Sequence, residues 1–272
     1  PALSPYRPLV LSPSRPLAHS PSRPLVVSLS RSFSLSLSRS LLGGKGANII
    51  FANAVEDAVT NGVARCMRNS GQSCNAPTRM LVERSRYAEA LEQAAAAAEA
   101  TKVGPASEEG NHIGPVVSQM QFDKIQNLIE VGIKQDDATL IAGGLGRPEG
   151  LNRGFYVRPT IFADVDNTAR INREEIFGPV MTIMPFDTEE EAIAIANDTP
   201  YGLTNYVQCG DQEQRQRVAR QLRSGMVETN SVGFGMGSPF GGYKQSGNGR
   251  EGGIFGLHEF MEIKAVSCWE DA

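Results

Sequence analysis

Acidic residues are absent from Pro1 to Val55, and the first one in this 272-residue sequence is Glu56. Cysteine is scarce: Cys66, Cys74, Cys209 and Cys268 stand at no paired spacing. That argues against a disulfide framework and against a zinc site, so no metal is expected. Free thiols suit a reducing compartment, and a cytoplasmic location is expected. No apolar run approaches the roughly 18 residues of a membrane span, so no membrane partner is expected. A net charge of -4 gives no positive excess with which to hold nucleic acid. Histidine is limited to His19, His112 and His258, none in a context to act as the base of a cysteine protease or a thiolase. No Gly-x-Gly-x-x-Gly follows an expected strand, so the sequence contains no visible pyrophosphate turn.

What the first 42 residues do contain is a repeat. Arg7, Arg15, Arg23, Arg31 and Arg39 recur every eight residues. Ser-Pro-Tyr-Arg-Pro-Leu from Ser4 becomes Ser-Pro-Ser-Arg-Pro-Leu from Ser12 and from Ser20, with degenerate copies from Ser28 and Ser36. A period of eight fits neither helix nor strand, and two prolines per copy block both. Residues 1–42 are therefore expected to be disordered low complexity. Arginine and serine without acid suggest a transit peptide, but the prolines prevent the amphipathic helix it would need. A partner-binding arm is a second reading, and a tandem repeat fused, or misjoined, to the sequence that follows is the favoured one.

From Gly43 strand and helix patterns alternate. Strands are expected at Asn48–Phe51, Arg79–Val82, Thr139–Ala142, Tyr156–Phe162, Val180–Phe186, Tyr201–Cys209, Met226–Asn230 and Glu259–Ser267. Helices are expected at Glu56–Arg68, at Tyr87–Ala100 capped by Ser85, from Ser118 through Ile133, at Thr188–Ala196 and at Asp211–Leu222. Such alternation implies an α/β fold with an open, mostly parallel sheet flanked by helices. Ligands of such sheets bind beyond the carboxyl ends of the strands. Loops 69–74, 174–179 and 233–251 carry the unusual chemistry.

Cys74 ends a polar loop, Asn69-Ser70-Gly71-Gln72-Ser73, where backbone N–H groups would favour a thiolate. Cys66, Cys209 and Cys268 sit in apolar patterns and read as small buried hydrophobes.

Four motifs make the reading specific. Asn69-x-Gly71-Gln72-x-Cys74 resembles the cysteine motif of the aldehyde dehydrogenase superfamily. Gly43-Gly44-Lys45 with Asn48-Ile49-Ile50-Phe51 is similar to the family's Glu-Leu-Gly-Gly-Lys motif and the strand after it. Glu175-Ile176-Phe177-Gly178-Pro179-Val180 resembles its cofactor-ribose motif. Ser238-Pro239-Phe240-Gly241-Gly242-Tyr243-Lys244, Ser246-Gly247 and Gly249-Arg250-Glu251 resemble its C-terminal signature. The resemblance covers 43–272, roughly the C-terminal half of a typical member, and implies a catalytic domain at 43–252 followed by a C-terminal strand and oligomerisation arm at 253–272.

The resemblance implies oxidation of a small aldehyde to a carboxylic acid with NAD or NADP, through a thiohemiacetal and a thioester on Cys74. It makes the Cys74 N–H an oxyanion donor, and Glu175 and Phe177 the contacts to the nicotinamide ribose. Asn69, Gly71 and Gln72 shape the cysteine loop. Phe234 and Phe240 line a substrate tunnel, though Phe240 reads equally as core. Glu251 is either a proton relay or half of an ion pair with Lys244 or Arg250. Lys45 has a structural or a cofactor role. A homo-oligomer is implied.

The family's general base precedes the Gly-Gly pair by two residues, and Leu41 stands there. Leu41 shares a repeat register with Leu9, Leu17, Leu25 and Phe33, so it belongs to the tail, and the family sequence is expected to begin at Gly43. The dinucleotide-binding half is then missing, and the isolated chain is expected to bind cofactor poorly and turn over no aldehyde. The alternative from another class is a catalytically dead fragment that docks on a full-length subunit.

Overall fold

The computed structural model describes residues 43–265. The repeat, Leu41 and Cys268 lie outside them. Seven strands form one sheet: β1 Ala47–Ile50, β2 Arg79–Glu83, β3 Thr139–Ala142, β4 Thr160–Ala163, β5 Val180–Phe186, β6 Thr204–Gln208 and β7 Met226–Thr229. Their order is β3-β4-β5-β2-β1-β6-β7. Every neighbouring pair is parallel except β3 on β4, which is antiparallel with a register shift between Leu140 and Ala142.

The main helices are α1 Ala58–Met67, α2 Arg84–Ala100, α3 Gln119–Lys134, α4 Arg170–Arg173, α5 Glu189–Asn197, α6 Gln212–Gln221 and α7 Gly253–His258. Alternate strand residues serve opposite faces. Ile50, Met80, Val82 and Ile183 pack with Val59, Val63 and Met67 of α1 and the alanines of α2. Ile49, Leu81, Phe186 and Val207 pack with Ala192 of α5 and Val218 of α6 on the other face. Burial of each such aliphatic side chain contributes about 1.5–3 kcal/mol. A third cluster seats α3, through Ile125, Leu128 and Ile129, against Phe162, Ile171, Ile176 and Val180. That places α3 beside the segment that leads into β5.

Several expected boundaries shift for physical reasons. Ser85 lies inside α2 and caps nothing. β2 runs straight into that helix, and Glu83 turns its carboxylate to the Ala52 N–H at 2.8 Å. Ser118, Thr188 and Asp211 do cap α3, α5 and α6, each accepting from the N–H three residues on. The strand expected from Tyr156 begins only at Thr160, after Pro159, which has no N–H for a ladder. The strand expected from Tyr201 begins at Thr204, because Gly202 is engaged by Ser246, Gly225 and Tyr243.

The strand expected at Glu259–Ser267 is a correction: residues 259–265 form no strand. Gly252 and Gly253, with φ of 78° and 58°, turn the chain into α7 instead. Phe260 and Ile263 are 91% and 98% exposed. Alternation marks a surface fit for pairing, and a strand exists only where a neighbour pairs with it.

Arg79 fixes the centre of the sheet. It is fully buried at the start of β2. Its Nε donates to Lys45 O at 3.0 Å, ahead of β1, and its two terminal nitrogens donate to Ile195 O and Ala196 O at the end of α5, at 3.0 and 2.9 Å. Burial lowers its pKa to about 10, which still leaves it charged at neutral pH. Arg79→Met strands these carbonyls and is expected to destabilise the domain by about 2–4 kcal/mol. A urea titration checks this: the midpoint falls at unchanged slope, and an unmoved midpoint contradicts it.

Candidate active site

The loops that carry the candidate residues run into strands. Gly43–Gly46 precede β1, residues 68–78 lead from α1 into β2, and residues 174–179 lead from α4 into β5. The site therefore lies at the amino ends of the parallel strands, contrary to the carboxyl-end expectation. The cause is connectivity: each crossover helix returns the chain to the amino side, and these return loops hold the glycines and the thiol. The long loop after β7 leaves from the other end and comes back. Tyr243 N donates to Gly202 O at 2.8 Å, and Ser246 Oγ donates to Gly43 O at 2.8 Å while accepting from Gly202 N at 3.0 Å.

Below α1 the chain makes a tight turn over Arg68–Gly71. Asn69, Ser70 and Gly71 are all left-handed, with φ of 53°, 56° and 70°. Asn tolerates this region because its side chain bonds locally. Here Asn69 Nδ2 donates to Gln72 O at 2.9 Å, and Gln72 Nε2 returns a bond to Asn69 O at 3.2 Å. Gln72 Oε1 accepts from Val117 N at 2.8 Å, and Ser70 Oγ donates to Gly114 O at 2.7 Å. The loop is thus held from both sides, and Cys74 emerges partly buried.

Three glycines weld the loops together. A Cβ on Gly71 would stand 2.0 Å from Gly178 O, so the cysteine loop rests on the segment that follows Glu175. A Cβ on Gly44 would stand 2.3 Å from Cys74 O. Gly43 has φ of +41°, and its Cβ would fall 2.1 Å from Glu175 Oε2. Gly44 N donates to Glu175 Oε1 at 2.7 Å. The dipeptide therefore touches the thiol-bearing residue on one side and the carboxylate on the other.

α3 holds Glu175 in place from below. Lys124 Nζ donates to Glu175 O at 2.7 Å, and Gln121 Nε2 donates to Ile176 O and Phe177 O at 3.0 and 2.8 Å. Phe177 is left-handed at φ 55°, a strained position for a bulky residue, fixed here by these bonds. Lys45 is buried, and its Nζ has no hydrogen-bond partner among the described residues. Burial, reinforced by the Arg79 charge, pulls its pKa down to about 7.

Charge at the site opposes the thiolate. Burial and then the Glu175 carboxylate raise the Cys74 thiol above its ordinary value, with a further push from Glu251. The Cys74 and Asn75 N–H groups pull the other way and are outweighed. The backbone N–H groups favour the thiolate as expected, but burial, with the Glu175 and Glu251 charges behind it, outweighs them. Burial also raises Glu175, which the Gly44 N–H, Lys124 and Lys45 partly offset. Cys66 and Cys209 are buried, and burial pushes the Cys66 thiol up to about 12.

Glu251 is exposed, and its backbone pairs both ways with Phe240 at 2.7 Å. Among the described residues its carboxylate forms no ion pair, which corrects the alternative of a bridge to Lys244 or Arg250. Lys244 Nζ instead donates to Asn197 O and Thr199 O, and Arg250 donates to Gly242 O and Gly249 O. Phe240 is partly buried, whereas Phe234 and Met236 stand exposed. The structure thus gathers Cys74, Gly71 and Glu175, and leaves Glu251 exposed beside Phe240 and Phe234 on the open part of its loop. Sequence reading passed over the contacts of Gly178, Ser246, Gln121 and Lys124. Only Gly178 and Ser246 lay in quoted motifs, and the α3 pair had no signal beyond a polar helix face.

The fold and the site together define an α/β domain built around a thiol set beside a carboxylate, joined through a glycine pair. The chain belongs to the aldehyde dehydrogenase family, whose model matches residues 34–266. It is 51% identical over 230 residues to the 3-succinoylsemialdehyde-pyridine dehydrogenase of a Pseudomonas species, covering 84% of this chain and 48% of that one. It is similar to the crystal structure of an aldehyde dehydrogenase from Bartonella henselae, with a TM-score of 0.82 and 59% identity over 84% of this chain and 48% of the other. A second similar structure is aldehyde dehydrogenase C of Pseudomonas syringae, solved with NAD+ and octanal, with a TM-score of 0.81 and 47% identity over 83% of this chain and 47% of the other. The chain spans about half the length of the relatives it matches.

Two outcomes follow for the site. Gly44→Ala forces a Cβ onto the Cys74 carbonyl and is expected to lower stability by about 1–3 kcal/mol, read by urea denaturation; an unchanged midpoint would show the contact to be loose. In Glu175→Gln the charge that raises the thiol is gone, so the pH profile of Cys74 alkylation by iodoacetamide, followed by peptide mass mapping, moves to lower pH. A profile that stays put or moves to higher pH contradicts the electrostatic assignment.

Proposed function

We propose that this chain carries the thiol half of an NAD- or NADP-dependent aldehyde oxidation. The observation that carries this reading is the contact of Gly43-Gly44 with both the Cys74 carbonyl and the Glu175 carboxylate. The residues fit the sugar end of the cofactor. Glu175 Oε1 is engaged by Gly44 N, while Oε2 has no protein donor among the described residues and can accept from a sugar hydroxyl. The absence of a Cβ at Gly43 keeps that oxygen open. Phe177 follows on the same strained turn as an apolar neighbour for the sugar.

In this reading Cys74 Sγ loses its proton to solvent and attacks the aldehyde carbon. The C–S bond forms as the C=O π pair moves onto oxygen, where the Cys74 N–H stabilises the charge. Nicotinamide dinucleotide, when bound, supplies the two-electron acceptor that turns the resulting thiohemiacetal into a thioester. Water then cleaves the C–S bond to give the acid and the free thiol, a step that needs a base. Leu41, at the family's base position, cannot serve, so the thioester on this chain is expected to persist. Octanal and NAD+ in the Pseudomonas syringae relative support a small aldehyde and a nicotinamide cofactor here. Assembly as a homo-oligomer belongs to the same reading.

A second reading, a fragment that docks on a full-length subunit, draws support from the C-terminal segment, where Ile254, Phe255, Leu257, Phe260, Met261 and Ile263 are all more than half exposed.

A p-nitrophenyl ester tests the nucleophile without cofactor. The expected result is one burst of nitrophenolate per chain, with a persistent acyl mass on Cys74 and none in Cys74→Ser. Acylation elsewhere would remove Cys74 from its role. With aldehyde and NAD+ the isolated chain is expected to give no steady NADH absorbance, and continuous NADH production would show that the described half suffices.

A further inference from the structure

Behind the cysteine loop, on the far side of β1, lies a set of polar groups that the reaction above does not use. Glu228 on β7 is 1% exposed, and both of its oxygens are taken by the guanidinium of Arg65 on α1, with Nη2 at 2.6 Å from Oε2. The same guanidinium lies over the ring of Tyr206 on β6, 4.8 Å from its centroid. Tyr206 OH donates to the main-chain carbonyl of Asn75, the residue after the thiol. Burial pushes the phenol up to about 12, so it remains a donor over the working pH range. A buried ion pair adds little net stability over apolar side chains of the same volume. Stability alone therefore does not account for three polar side chains stacked behind one loop.

Their position gives the reason. The carbonyl of Cys74 is fixed by its close approach to Gly44, and the next carbonyl, that of Asn75, is fixed by Tyr206. The first of these peptide planes carries the Asn75 N–H, and the two together fix the backbone on both sides of Asn75, directly after the sulfur-bearing residue. We infer that Tyr206 is a positioning residue for Cys74, its ring held by the Arg65–Glu228 pair and its hydroxyl locking the Asn75 carbonyl so that the thiol and its N–H donors keep one arrangement. The inference rests on Cys74 being the nucleophile and adds what orients it. It also joins three elements to the site: α1, which runs into the cysteine loop, β6, and β7, which opens the loop bearing Phe234.

Tyr206→Phe in the full chain tests this, since it keeps the ring over Arg65 and removes only the hydroxyl. Two readouts are taken: the pH profile of Cys74 alkylation by iodoacetamide, and amide hydrogen exchange across residues 73–77. With the loop released, the N–H groups that favour the thiolate lose alignment. The midpoint of the profile is expected to rise by about 0.5 pH unit, roughly a threefold slower alkylation at pH 8, with faster exchange in the loop. Glu228→Gln, which keeps one acceptor oxygen, removes the other together with the charge and so loosens Arg65, moves both readouts the same way by less. A merely structural tyrosine would lower the urea midpoint and leave the alkylation profile superimposable on the parent's, and that superposition overturns the inference. If the nitrophenyl ester fails to acylate Cys74 while Tyr206→Phe still shifts the profile, the aldehyde chemistry is lost and the positioning role stands.

Discussion

Everything at this site depends on two residues having no side chain. At Gly43 and Gly44 the backbone is squeezed between the Cys74 carbonyl and the Glu175 carboxylate, closer than any Cβ permits. The squeeze is possible because β1 and β2 are adjacent parallel strands and β5 pairs with β2. The segments leading into these three strands must therefore converge. Arg79 secures the convergence by tying the start of β2 to the carbonyl of Lys45, just after the glycine pair. Gly71 completes it by resting the cysteine loop on Gly178. The geometry of the site is thus a property of the sheet's amino edge, where the loops pack closely on one another.

The same closeness has an electrostatic cost. Partial burial raises the Cys74 thiol, and the neighbouring Glu175 carboxylate repels the thiolate and adds to the penalty. In the proposed chemistry the thiolate is stabilised at the moment of attack by backbone N–H groups held in fixed directions. The Tyr206 hydroxyl and the Gly44 contact supply that fixity from opposite sides of the loop.

Much of this was legible in the residues themselves. Val180–Phe186 and Thr139–Ala142 were readable to the residue, because their apolar runs end at glycine, proline or a cap. The cysteine loop, the Glu175 segment and the Gly-Gly pair were visible as motifs. What lay hidden was relational. No local pattern says that these loops enter strands rather than leave them, since that depends on which way each helix carries the chain. Tyr206 read as one more strand residue, and its hydroxyl acquires meaning only through a carbonyl 131 residues away in sequence. The expected C-terminal strand failed for a related reason: alternation in residues 259–265 describes a partner's requirement, and no strand among the described residues meets it.

In the proposed function Glu175 and Cys74 face a common space that takes a nicotinamide sugar. Nicotinamide mononucleotide carries only that end of the cofactor, so it probes this half of the site without calling on the other. Nicotinamide mononucleotide is expected to slow alkylation of Cys74 in the parent chain in a saturable way and to fail to do so in Glu175→Gln. No protection in the parent, or equal protection in both proteins, would contradict that reading.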